Sequence, residues 1–351
     1  MKRLRILFVG QTVPGSRTLQ RIRVLQEMGH SVTVVPTQPP GATYEDAPGL
    51  VERVRYRLRV PADDAGANQA VFAAVGEVGA DVIWLDRAVT IRRRTLREAK
   101  HRASGLRVVW YAEDDMMNPR HLSWWTERAL SLIDLWVTTK SMNAEPGEMP
   151  AKGVRNVLFV DNSYDPLIHR PVPVSAEDSR TYGSDVSFVG TYEAERARSL
   201  GELARRGLDV RVWGNGWRRV TARPHGLRLE ERPVYDDEYA KVVSASRINL
   251  CFLRKENRDL QTCRSVEIPA MGGLMMHERN PEIRRMFTED EEAVYFESDA
   301  ELVLKCRTLL DDETRRTRIA QSGHRAVLAG GYRHHDRLEL ILDRAEKVSS
   351  R

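Results

Sequence analysis

The chain has 351 residues, 30% of them charged and 41% hydrophobic, the balance of a globular protein with two domains or one large one. No apolar run is long enough to cross a bilayer as a helix. The net charge of +5 is modest and spread along the chain, so the composition does not call for nucleic acid.

Residues 5–10 read as a strand, since the apolar run is too short for a secretory leader and no small-residue cleavage site follows. Residues 18–28 carry Leu19, Ile22, Leu25 and Met28 at helical spacing, and Gly29 closes the helix. Residues 31–35 are the next strand. This is a β-α-β unit of the Rossmann kind. Its loop holds only Gly10 and Gly15 and lacks G-x-G-x-x-G, which argues against a dinucleotide. Residues 36–67 are rich in proline, glycine and charge, with one expected strand at 51–60. A helix is expected at 68–78 and a strand at 81–85. The next helix, 90–102, has a very basic face (Arg92, Arg93, Arg94, Arg97, Lys100). That face reads as solvated surface, or as a site for a membrane or an acidic acceptor.

A strand at 106–111 runs into Glu113, Asp114 and Asp115. Carboxylates at the carboxyl end of a parallel strand lie where α/β proteins place ligands. They read as orienters of acceptor hydroxyls or as a base, or else as a solvated turn with a helix cap. Trp124 and Trp125 follow, as packing residues or a sugar-stacking platform. Strands are expected at 134–139 and 157–160. Residues 161–174 contain three prolines and no helical pattern, the mark of an extended linker.

The β-α-β rhythm restarts at 184–190, with a helix at 193–206 and a strand at 209–213. Gly214-Asn215-Gly216 at that strand's end would let backbone approach a ligand closely, or would form a tight turn. A helix beginning at Tyr235 and a strand at 247–253 lead into the stretch 259–282. Thr262 is the expected N-cap of a short helix, Gly272-Gly273 its end, and 274–276 a buried strand. Arg254, Lys255, Arg258, Asp259 and Arg264 crowd that helix start. Cations beside a helix N-terminus suit a phosphate or diphosphate, although a solvated charged loop has the same composition. Glu267, about one turn further in, is placed to accept hydrogen bonds from sugar hydroxyls. The C-terminal part adds a strand at 294–296 and helices to 310, 312–328 and 334–348. Ser298 and Glu301 are expected to form a capping box. Cys251, Cys263 and Cys306 are odd in number and His324, His334 and His335 lack metal spacing, so no metal site is expected and a reducing cytoplasm fits.

Val137-Thr-Thr-Lys140, Asp165-Pro-Leu-Ile-His-Arg-Pro171, Phe188-Val-Gly-Thr191, Trp213-Gly-Asn-Gly216 and Thr262-Cys-Arg-Ser-Val-Glu-Ile-Pro-Ala-Met-Gly-Gly273 carry a family resemblance. Residues 134–342 resemble the CgeB-like (spore maturation protein type) glycosyltransferases, relatives of the family-4 retaining enzymes. The resemblance implies an α/β protein of the GT-B fold, two Rossmann-like domains facing a central cleft. The expected segments are an acceptor-side domain (1–160), a linker (161–183), a nucleotide-sugar domain (184–330) and a C-terminal helix (331–351) packing back on the first domain. The implied activity is metal-independent, retaining transfer of a hexosyl or related sugar from a nucleotide-diphosphate sugar, with no cofactor. The base, as UDP, GDP or dTDP, stays open. So does the acceptor, as glycan, lipid, peptide or small natural product. A cytoplasmic location is expected, with contact at the inner membrane surface and no nucleic acid.

In this resemblance Glu267 stands where the family holds the nucleotide ribose and Asp259 where a longer acid lies beside the donor sugar. Thr191 falls near a diphosphate-binding Arg and Arg196 near its Lys partner, so Arg254, Lys255 and Arg264 share the diphosphate charge. Gly190, Gly214, Asn215, Tyr235 and Thr262 complete the donor site. Asp259, Glu113, Asp114 and Asp115 are the catalytic expectations, with Asp114 or Asp115 as base if the enzyme inverts. The rivals are a nucleotide-sugar epimerase on the same fold and a non-catalytic nucleotide- or glycan-binding protein.

Overall fold

The computed structural model describes residues 2–44, 46 and 49–348. The chain forms two compact units. The first comprises Met1–Asp161, Glu256–Arg258 and His334–Arg351, and the second Asn162–Lys255 and Asp259–Arg333.

In chain order the first unit holds β1 (Arg5–Gly10), α1 (Arg17–Glu27), β2 (Ser31–Pro36), α2 (Leu50–Arg57), α3 (Ala67–Val78) and β3 (Val82–Asp86). It continues with α4 (Arg93–Arg102), β4 (Arg107–Ala112), α5 (Trp124–Ala129), β5 (Leu135–Thr138) and β6 (Val157–Phe159). The strands pair in parallel in the order β2-β1-β3-β4-β5-β6. Alternate strand residues serve opposite faces. Leu7, Val9, Ile83, Leu85, Val108 and Trp110 pack with Val71 and Val75 of α3 and Leu96 of α4. Ile6, Phe8, Trp84, Val109 and Tyr111 pack with Ile22 and Leu25 of α1 on the other face.

The second unit holds α6 (Ala176–Tyr182), β7 (Ser184–Val189), α7 (Ala194–Arg205), β8 (Val210–Trp213), β9 (Leu227–Leu229), α8 (Asp236–Ala245) and β10 (Ser246–Cys251). Then come α9 (Arg264–Ala270), β11 (Met275–Glu278), α10 (Pro281–Met286), β12 (Val294–Phe296), α11 (Asp299–Asp311) and α12 (Glu313–Ala329). This sheet is also parallel, in the order β12-β11-β10-β7-β8-β9. The last helix, α13 (His334–Lys347), returns to the first unit, where Leu338, Ile341 and Leu342 join the Ile6 and Phe8 cluster. Residues 349–351 of the expected final segment lie outside the described residues.

Three local expectations need correction. The expected strand at 51–60 is in part helix α2 (Leu50–Arg57), on which Leu50, Val51 and Val54 fall to one side despite the alternation that follows. Of the expected linker 161–183, Asp161 groups with the first unit and residues 162–183 with the second, where Tyr164 N–H donates to Tyr332 O at 2.9 Å and Ser175 and Asp178 form a capping box that starts α6. At α11, Ser298 caps Glu301 N–H, but the Glu301 carboxylate is taken by Arg279 and the Glu297 N–H rather than by Ser298.

Candidate functional site

In open parallel sheets ligands bind beyond the carboxyl ends of the strands, where the strand order reverses. The first unit reverses between β1 and β3, and its own charges fill that place. Arg21 of α1, buried, holds Asp86 of β3 through Nε at 2.7 Å and Nη2 at 2.9 Å. Its Nη1 donates to Glu113 at 2.9 Å, and Arg17 Nε reaches the same carboxylate at 3.1 Å. Burial alone would raise the Glu113 pKa, but Arg17, Arg21 and Lys140 hold it down at about 2.

The other two expected carboxylates are also paired. Asp114 lies 2.9 Å from Arg87 Nε. Asp115 is buried, accepts two hydrogen bonds from Arg258 (2.6 and 2.8 Å) and one from Asn143 (2.8 Å), and donates its N–H to Asn257. Burial opposes its charge, yet the Arg258 and Asn143 hydrogen bonds leave its pKa lowered. Arg258, grouped by sequence with the donor cations, therefore belongs to the first unit and serves Asp115 and Glu148. Glu113 and Asp115, with lowered pKa values, are poor proton acceptors, and all three carboxylates are engaged by arginine.

A pH prediction follows. The Glu113 pKa is depressed in the folded state, so its contribution is fully present above the ordinary carboxylate value of 4.5 and is lost as pH falls towards about 2. Acid titration of the unfolding midpoint should show this loss, and Glu113→Gln should flatten the curve over that interval.

The second unit reverses between β7 and β10, and here the charges are unbalanced. Gly190 ends β7 and Gly214 ends β8. A Cβ on Gly214 would stand 2.1 Å from the Gly190 carbonyl oxygen, and its φ is +141°, so only glycine fits there. Tyr192 N–H donates to the Asn215 carbonyl, joining the two loops. The Arg264 guanidinium lies against Gly190, with Nη1 3.3 Å from where a Gly190 Cβ would be. Arg196, in the first turn of α7, is buried beside it. Both guanidinium carbons lie over the Phe188 ring, at 5.5 and 5.4 Å from its centre.

Arg196 Nη1 donates to the Thr191 carbonyl at 3.0 Å and lies 3.2 Å from Glu193. Its Nε and Nη2 are buried without any partner, as is Arg264 Nε. Burial, and then the like charge of Arg264, depress the Arg196 pKa to about 10. Two cations share an enclosed site with unfilled donors, and an anion with several oxygens would satisfy both. Thr191 contributes its carbonyl to this arrangement.

The remaining expected residues sort as follows. Arg254 Nε pairs with Glu193 at 3.2 Å, and its N–H donates to Asp259 at 3.2 Å, closing the turn before α9. Lys255 pairs with Glu278, which neutralises it. Tyr235 stands at the N-cap of α8. Thr262 is not a side-chain cap: α9 starts at Arg264 with Cys263 in the cap position and no side-chain hydrogen bond. Thr262 N–H instead donates to Ser265 Oγ at 2.9 Å, which is 3.0 Å from His277 Nε2. The His277 Nδ1–H donates to Glu278 O, and this buried chain fixes α9 on β11. Since α9 spans only 7 residues, its dipole would add little to the charge of the Arg196 and Arg264 guanidinium groups. A pocket of about 460 Å³ borders it, lined in part by Arg196, Phe252, Leu253, Lys255 and Phe296.

Glu267 is buried on α9. Tyr239 OH lies 3.4 Å from its Oε2, and His169 Nε2 lies 3.6 Å from its Oε1. His169 Nδ1 accepts the Asp165 N–H at 3.0 Å, so the ring proton sits on Nε2 and faces the carboxylate. Sequence reasoning missed both partners; the one signal for His169 was its place within 165–171.

The comparisons agree with this architecture. Residues 196–343 match a family model described as "Glycosyl transferase-like". No curated protein matches the sequence. Among solved structures, HepE of Anabaena in complex with UDP and glucose superposes with a TM-score of 0.64 at 13% identity, covering 97% of this chain and 100% of that one. Sucrose-phosphate synthase of Thermosynechococcus elongatus gives 0.66 at 11% identity over 97% and 99%. A glycosyltransferase of Rickettsia africae gives 0.63 at 10% identity over 99% of both chains. Two parallel-sheet Rossmann-like units, matched along nearly their whole length, give this chain the GT-B fold of glycosyltransferases.

Proposed function

We propose that the protein is a glycosyltransferase that moves a sugar from a nucleotide-diphosphate sugar to an acceptor hydroxyl, with the donor held by the second unit. The observation that carries this reading is the pair Arg196 and Arg264, whose buried, unfilled N–H groups call for a diphosphate. Glu267, oriented by Tyr239 and His169, accepts the ribose hydroxyls, and the loops at Gly190 and Gly214 give room for the phosphates. HepE, bound to UDP and glucose, and the family model over 196–343 support the class of donor. The motif at 262–273 supports the CgeB-like subtype.

In the transfer, the bond from sugar carbon to diphosphate oxygen breaks and the diphosphate takes the electron pair. The acceptor oxygen bonds to that carbon and gives up its proton. Arginine charge stabilises the departing diphosphate, which is why we read the reaction as metal-independent. Retention rests on the resemblance, in which the departing phosphate takes the proton. It agrees with the lack of a free base among Glu113, Asp114 and Asp115, each engaged by arginine. Asp259, fixed by the Arg254 N–H, is the carboxylate placed beside the donor sugar. The acceptor is a glycan, lipid, peptide or small natural product.

Thermal unfolding against nucleoside diphosphates and their sugars tests the donor site. A ligand at ~100 times its dissociation constant should stabilise the fold by about 2.7 kcal/mol. The shift should be selective for one base and lost in Glu267→Ala. No shift with any of them would remove the donor site. An epimerase would interconvert donor sugars without acceptor, which a sugar-product assay separates from transfer. His169→Phe should weaken nucleotide affinity about tenfold by freeing the Glu267 carboxylate, with little change once donor is saturating.

A further inference from the structure

Helix α2 is unlike every other helix of eight or more residues here: none of its residues is buried. An isolated helix this short is marginal in water, so something outside it must favour it. Its far end is fixed. Arg59 Nε donates to Leu122 O at 2.8 Å, Nη2 pairs with Glu127 at 2.7 Å, and the guanidinium stacks on Trp124 at 4.6 Å.

Its residues sort by side. At 100° per residue, Leu50, Val51, Val54 and Leu58 fall within an arc of about 100°. Leu50 is 74% exposed, Val51 67%, Val54 55% and Leu58 61%. Arg53 and Arg57 flank that arc on one edge and Arg55 on the other. Among the described residues these three arginines have no carboxylate partner, whereas Arg5, Arg21, Arg59 and Arg258 do. The more basic helix α4 engages part of its charge locally, and its apolar residues Leu96 and Ala99 are buried: Arg93 donates to Arg128 O and Ser131, Lys100 holds both oxygens of Asp134, and Arg102 covers Phe72.

We propose that α2 is an anchor that lies in the surface of an anionic membrane, its apolar arc among the acyl chains and its arginines on lipid phosphates. An apolar stripe edged by arginine on both sides matches the layered chemistry of a lipid interface. A second copy is a poor occupant, since a self-complementary face would set these arginines against one another.

Flotation of the full chain with vesicles tests this. It should rise with phosphatidylcholine vesicles containing phosphatidylglycerol and stay behind with phosphatidylcholine alone, and binding should fall at high salt. Replacing Arg53, Arg55 and Arg57 by Gln should weaken binding on the order of 100-fold, at about fivefold per charge. Val54→Asp with Leu58→Asp should abolish it. Both variants should keep the wild-type unfolding midpoint and nucleotide response, because all the substituted residues are exposed. No flotation with anionic vesicles, or flotation indifferent to both variants, overturns the proposal. So does wild-type self-association lost in Val54→Asp without vesicle binding, which would assign the face to a second copy.

Discussion

Arg196→Met is expected to abolish donor binding while leaving the empty protein as stable as the wild type, or more so. The two halves of this result come from one fact. In the unliganded protein Arg196 is buried with two nitrogens unfilled, beside a second cation that depresses its pKa to about 10. Its visible bonds, to the Thr191 carbonyl and Glu193, offset only part of the cost of burying the charge. Methionine keeps an unbranched stem of similar length in that place beside Phe188 and removes that cost. With a diphosphate bound the balance reverses, because the guanidinium gains short, charge-assisted bonds in a shielded site. Truncating one partner of such a pair costs about 2–5 kcal/mol, on the order of 100-fold or more in affinity. Unfolding midpoints with and without the nucleoside diphosphate measure both halves. A large fall in the midpoint of the empty protein would mean that Arg196 is a structural cation and would sink the diphosphate assignment.

Much of this was legible in the sequence. Strands buried on both faces read as apolar runs, and the two β-α-β series came out in order, apart from β9, a three-residue edge strand too short to read. Helix α2 was misread because Arg53, Arg55, Arg57 and Arg59 alternate with Val54, Tyr56 and Leu58, a two-residue period that mimics a strand. Only the contacts show that nothing pairs with it. Arg258 was misplaced because sequence neighbours suggest spatial ones, whereas Glu256–Arg258 belongs to the other unit from Lys255 and Asp259. The carboxylates at 113–115 were placed on the right strand end. Their roles were hidden because Arg17, Arg21, Arg87 and Arg258 are remote in sequence. One signal was available and unused. Arg196 shares the buried stripe of α7 with Leu200, Leu203 and Ala204, and Arg21 shares that of α1 with Ile22, Val24 and Leu25. A cation on an apolar stripe must be buried, and must then be either matched or waiting.

Arg21 is the matched case, and Arg21→Met should give the opposite outcome from Arg196→Met. Arg21 places three N–H bonds on Asp86 and Glu113 and stacks on Tyr111 at 4.5 Å. Methionine would leave Asp86 buried without its ion pair, with Thr18 (3.3 Å) and Trp84 (3.4 Å) as its side-chain donors among the described residues. Breaking a buried pair from one side costs about 3–5 kcal/mol, so the unfolding midpoint should fall by many degrees. Removing both charges is cheaper than removing one, and Arg21→Met with Asp86→Leu should recover much of the loss. Denaturant titration of the two variants decides this. Equal losses in both would mean that packing of the Arg21 stem, rather than its charge, secures the first unit. The contrast between the two arginines also bears on where the donor binds. The sheet reversal of the first unit is closed by its own ion pairs, whereas at that of the second Arg196 and Arg264 keep buried N–H groups unfilled, which is the basis of the proposed donor site.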